Sequence, residues 1–123
     1  MKKPYLLIIT AILCLVLTGG LSLAKDSDAD TIDALKQAIR IDPDYAKAYY
    51  NLGTAYNKSG KYEESIEAYK QAIRINPDDK DAHYNLGLGY LILNDRGSAL
   101  EQYKILKKLD AEMADLLFNL IYK

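Results

Sequence analysis

The sequence predicts an all-α chain, a short solenoid of helix-turn-helix units closed by a C-terminal capping helix. Three observations carry this. Lys36-Gln37-Ala38-Ile39-Arg40-Ile41 recurs letter for letter at Lys70-Gln71-Ala72-Ile73-Arg74-Ile75, a shift of 34 residues. The same shift carries Tyr50-Asn51-Leu52-Gly53 onto Tyr84-Asn85-Leu86-Gly87, and Tyr56 onto Tyr90. Apolar residues within each copy fall at helical spacing, and Ser59-Gly60 and Pro77 interrupt them. A fixed period of this size means stacked supersecondary units that share one core along their length.

Taken in order, residues 31–43 read as one helix, with Ile32, Leu35 and Ile39 on its apolar side. Lys47 to Lys58 carries Ala48, Tyr49, Leu52, Ala55 and Tyr56 on one side of a second helix. Tyr62 to Ile75 repeats the pattern through Ile66, Tyr69, Ala72 and Ile73, and Pro77 stops it because the residue before a proline disfavours the helical conformation. Asp78, Asp79 and Asp81 sit at a helix start and Arg74, Lys107 and Lys108 near helix ends, as the helix dipole prefers. Gly53 and Gly87, with Ala72 opposite, are expected to let paired backbones approach closely. Asp110 is placed to cap a last helix over 111–122, whose stripe Met113, Leu116, Leu117, Leu120 and Ile121 covers the preceding unit, with Phe118 off that stripe.

These residues resemble the tetratricopeptide repeat (TPR) family, whose 34-residue signature runs Trp, Leu-Gly, Tyr, Ala, an aromatic and finally Pro. Here Tyr49 stands at the Trp position, followed by Leu52-Gly53, Tyr56, Ser65, Tyr69, Ala72 and Pro77. The next unit reads His83, Leu86-Gly87, Tyr90, Ala99 and Tyr103, then departs: Leu106 replaces the second small residue and Ala111 the Pro. The resemblance implies a right-handed solenoid divided into a half repeat at 31–43, a full repeat at 44–77, a repeat-like unit at 78–110 and a capping helix at 111–123. It also implies a concave groove, lined by the first helix of each pair, that binds partner segments. Carried over residue by residue, that groove contains Lys47, Tyr50, Asn51, Thr54 and Asn57 from one unit. Tyr84, Asn85, Leu88, Leu91 and Ile92 come from the next. Leu88, Leu91 and Ile92 would face solvent unless a partner, or the last helix folding over them, covers them.

The first 24 residues are of another kind. Lys2-Lys3 begins them, Leu6 to Leu17 is apolar but for Thr10, and Gly19-Gly20 precedes Ser22-Leu23-Ala24. This is the layout of a signal peptide cleaved before Lys25, which predicts a periplasmic or secreted protein. The alternative is an uncleaved anchor over residues 5–24, since about 20 apolar residues can span a bilayer. Lipid attachment at Cys14, the one cysteine, is a third reading, opposed by the bulky Leu13. Residues 25–30 read as an acidic linker. Beyond residue 24 lie 14 Lys and Arg against 17 Asp and Glu, a mild and well-mixed balance that does not suggest nucleic acid.

The residue types point away from catalysis. His83 is the single histidine, so no His-based metal site or Ser–His pair can be assembled, and its place in the repeat assigns it to packing. Gly87-Leu88-Gly89 lacks the Lys and Ser or Thr of a phosphate loop and lies inside a helix. Glu63, Glu64 and Glu67, and likewise Lys104, Lys107 and Lys108, read as solvated faces. No cofactor is expected. The function predicted is a non-enzymatic protein–protein interaction module, an exported adaptor that holds a protein or peptide segment in its groove. The alternative is a structural protein that self-associates, as a weak homodimer, through the open face of its first helix.

Overall fold

A computed structural model describes residues 28–123, and six helices are found there. The first, α1, is helical over the described stretch 28–41. It is followed by α2 (Ala46–Lys58), α3 (Tyr62–Ile75), α4 (Lys80–Ile92), α5 (Arg96–Leu109) and α6 (Ala111–Ile121). The signal-peptide reading of residues 1–24, and with it Cys14, lies outside the described residues. The segment 25–30, expected as a linker, is already helical over residues 28–30. The chain divides at Thr31, and Ile32–Lys123 forms one compact unit.

The turns inside the two full pairs are copies of one another. Gly60 closes α2 with φ +72° and Asn94 closes α4 with φ +61°. Lys61 N–H donates to the Tyr56 carbonyl at 2.9 Å, and Asp95 N–H to the Tyr90 carbonyl at 2.8 Å. Only glycine takes the left-handed region freely, and asparagine is among the few other residues that visit it. The second turn therefore folds like the first without a glycine. Asp79, Asp95 and Asp110 cap α4, α5 and α6 by accepting the N–H of Ala82, Ser98 and Met113 at 3.0–3.1 Å.

Three patches make up the core. Ile32 of α1 packs with Leu52 and Ala68, flanked by Leu35, Ile39, Ala55 and Tyr56. Ile66, Tyr69 and Leu86 join the two full pairs. Ala99, Leu106, Ala114, Leu117 and Ile121 seal α6 onto α5. Ile32 is as buried as its repeat equivalent Ile66, while Leu35 and Ile39 are half-buried against α2 and α3. Leu35 is thus less covered than its repeat equivalent Tyr69, which is 3% exposed, while Ile39 and Ile73 are both half-buried.

Close approach works differently from the expected glycine–alanine contact. A Cβ at Gly53 would lie 2.8 Å from the Tyr69 ring, so it is this ring, not Ala72, that lies over the glycine. Ser65 Oγ donates to the Gly53 carbonyl at 2.7 Å and fixes the same spacing. A Cβ at Gly87 would meet Leu117 of α6 at 2.7 Å. Leu106, a leucine where α3 has Ala72, is buried in one cluster with Leu117. Only Asp110 separates α5 from α6, and Lys80 holds its carboxylate at 2.6 Å. That ion pair and the cap together hold the Asp110 carboxyl below its usual range.

His83 is buried at the Trp position, as the repeat implies. Its Nε2–H donates to the Pro77 carbonyl and its Nδ1 meets the Gln102 amide, each at 2.7 Å. It thus ties the α3–α4 turn to α5.

Candidate partner-binding face

The α2–α4–α6 face holds the residues expected to line a groove, and it divides them into two groups. On the α2 side Lys47, Asn51 and Asn57 are exposed, and Tyr50 and Thr54 are half-buried. Lys47 Nζ sits 5.8 Å from the centroid of the Tyr50 ring. With Asp79 and Asp81 these two line a shallow cleft of about 110 Å3. Tyr50 also makes an edge contact with Tyr69, ring centroids 5.7 Å apart.

Several polar groups expected to meet a partner already serve the fold. Asn85 Nδ2 donates to the Tyr50 hydroxyl at 3.0 Å, binding the first pair to the second. Thr54 Oγ1 donates to the Tyr50 carbonyl at 3.2 Å and lies 3.1 Å from the Tyr69 hydroxyl. Burial, then the Asp81 charge, pushes the Tyr50 hydroxyl above its ordinary value, and burial does the same at Tyr69. Tyr50 therefore keeps its proton and can still donate it while accepting from Asn85. Asn51 and Asn57 are left facing solvent.

On the α4 side the apolar residues do not form an open strip. Tyr84, Leu88 and Leu91 are half-buried against the cluster of Leu106, Leu117 and Ile121, so the last helix covers them in part. Ile92 remains 50% exposed. The sequence pattern on α4 alone could not separate partner contact from cover by α6, because that depends on where α6 crosses.

The crossing of α6 brings up side chains that the groove assignment did not include. Leu116 and Leu120, expected to be buried, are 56% and 42% exposed. They flank a cleft of about 460 Å3 with Tyr84, Asn119 and Lys123. The α6 stripe is five residues wide, broader than one contact can cover, and that width is the signal in the sequence. Ala114, outside the stripe, is fully buried instead. Among the described residues no group of three His, Cys, Asp or Glu is placed to hold a metal ion. No helix among them is long and apolar enough to cross a membrane.

The repeated helix pairs have a counterpart in known proteins. The family description "TPR repeat" matches residues 28–60 and 53–94, more than half of the chain. The chain belongs to the tetratricopeptide repeat family. Its TPR units are similar to those of MamA, whose crystal structure shares 33% identity at a TM-score of 0.68. That match covers 79% of this chain and 57% of MamA, so the chain spans little more than half of that TPR protein. The TPR2B domain of yeast Sti1, solved as a complex with pHsp70, has a TM-score of 0.70 at 24% identity over 86% of this chain and 89% of its own. The TPR domain of Sgt2 from Aspergillus fumigatus has the same TM-score at 23% identity, over 88% and 74%. The last two show a shared fold alone. A search of curated proteins returns no match.

Proposed function

We propose that the protein is an exported, non-enzymatic adaptor that holds a segment of a partner protein along its α2–α4–α6 face. One observation carries the reading: the cleft between Tyr84, Leu116 and Leu120, where two leucines one helical turn apart stay exposed beside a ring. Exposed apolar side chains grouped in a concavity favour an interaction site. The Sti1 domain, solved with pHsp70, is a precedent for a protein ligand on this fold. Asn51, Asn57 and the Tyr50 hydroxyl supply hydrogen bonds for a partner backbone, while Lys47 and Asp81 offer charges of both signs. The partner segment is accordingly apolar on one side, an amphipathic helix or an extended strand. Its binding depends weakly on salt because few charges pair.

The test uses photo-crosslinking residues placed at Asn51 and Asn119 in the native host, with Glu101 on the outer helix as control. Adducts are expected from the first two sites alone, and they should vanish with Leu116→Ser plus Leu120→Ser at unchanged helicity. Adducts that persist in that variant place the contact elsewhere.

Export rests on the layout of residues 1–24. N-terminal sequencing of the protein recovered from the host should begin at Lys25. A chain still carrying residues 5–24 in the membrane fraction means an anchor instead.

A further inference from the structure

Two surfaces, one on the first full helix pair and one on the last, complement each other. The first is a cleft of about 400 Å3 whose described lining comes from α2 and α3. Tyr49, Leu52, Tyr56 and Ala68 give it an apolar floor, and Glu63 and Glu64 stand at its rim with Glu67. Of these carboxylates Glu67 is paired, to Lys70 at 2.9 Å. Among the described residues Glu63 and Glu64 have no cation partner. An apolar cleft with free carboxylates at its edge suits an aromatic side chain accompanied by cations.

The second surface has that composition. Tyr103, Phe118 and Tyr122 follow one another with ring centroids 5.2 and 4.5 Å apart. Lys107 Nζ lies 5.7 Å from the Tyr103 ring. Tyr122 is 62% exposed, and Lys107 and Lys108 are exposed with no carboxylate partner among the described residues.

This aromatic surface is not a seat for another repeat of the same kind. Counted from their caps, Gly53 of α2, Gly87 of α4 and Phe118 of α6 occupy the same position. The glycines let a neighbouring side chain lie where a Cβ would be. Phe118 blocks that approach, so an outer helix cannot pack on α6 at the spacing used on α2. What remains is a projecting knob.

We propose that the knob of one copy enters the acidic cleft of the next. Tyr122 sits against the half-buried Tyr49 and Tyr56, and Lys107 and Lys108 meet Glu63 and Glu64. The contact joins unlike surfaces, so each added copy presents a fresh cleft or knob, and copies add until the rotation between them closes a ring or extends a filament. It leaves the α2–α4–α6 face free and adjoins the Ile32, Leu35 and Ile39 stripe, which packs on the same Leu52, Tyr56 and Ala68.

The test is charge exchange, read by sedimentation of the full chain. Wild type should form species that grow with concentration and shrink with added salt. Glu63→Lys with Glu64→Lys, and separately Lys107→Glu with Lys108→Glu, should each weaken association about tenfold or more. All four side chains are exposed, so helicity should not change. Mixing the two variants should restore assembly, because each altered surface then finds the opposite charge. A wild type that stays monomeric at the highest attainable concentration overturns the proposal. So does loss of association in only one variant, or a mixture that stays apart. Binding of the Lys107–Lys108 surface to phosphatidylserine vesicles by a chain that remains monomeric assigns the knob to a membrane and overturns it as well. Crosslinking at Asn51 and Asn119 is unaffected by these variants, so either reading can fail alone.

Discussion

Gly53→Ala is expected to destabilise the protein by about 1–2 kcal/mol, whereas Gly97→Ala is expected to stabilise it by about 0.5 kcal/mol. Both glycines lie in helices, where alanine is better by about 1 kcal/mol when nothing opposes it. At Gly97 the nearest atom to a new Cβ is Asp95 Oδ1 at 3.7 Å, an ordinary contact. At Gly53 three atoms of the Tyr69 ring lie within 3.0 Å. That ring cannot easily swing away. Its hydroxyl is tied to Thr54 and its flank to Tyr50. Overpacking costs about 1–3 kcal/mol and so outweighs the propensity gain. Thermal unfolding of the two variants beside wild type decides the matter. A Gly53→Ala protein melting above wild type would mean that the Tyr69 ring does not lie over the glycine.

Leu117→Ala is expected to cost about 2–5 kcal/mol, because the side chain is fully buried between α4, α5 and α6 and its loss leaves a cavity. Gly87→Ala alone should also destabilise, since its Cβ would come within 2.7 Å of Leu117 Cδ2. Combined, the two changes should cost less than their sum by about 1 kcal/mol or more, because the new methyl enters space that the leucine has left. Urea unfolding of all four proteins gives the coupling directly. Strict additivity would separate Gly87 from Leu117 and would remove α6 from its assigned place against α4.

Much of this fold is legible in the sequence. Turn chemistry, helical spacing and the 34-residue echo are local, so they locate helices and pair them. His83 at the Trp position reads correctly as a packing residue for the same reason. The candidate face is less legible. Leu88 and Leu91 look alike on α4 whether a partner or α6 covers them. Asn85 and Thr54 look like free hydrogen-bonding groups until Tyr50 and Tyr69 are seen to occupy them. Glu63 and Glu64 read as a solvated face, and the apolar floor beside them belongs largely to a different helix.

The sequence by itself determined that the chain is an all-α TPR solenoid, because each unit's identity rests on contacts within about 34 residues and on backbone preferences at Gly60 and Pro77. Even the close approach at Gly53 was implied by its place in the repeat. The tertiary structure alone decided what each surface presents. Asp110 is a single-residue link between α5 and α6, and Leu106 is buried with Leu117 where α3 has Ala72. Together they set how α6 crosses α4. That crossing buries Leu117 and Ile121, half-covers Leu88 and Leu91, and turns Leu116, Leu120, Phe118 and Tyr122 outward. A periodic pattern fixes which residues share a helix face, but the angle and depth of packing against a neighbour fix which part of that face remains to meet anything else.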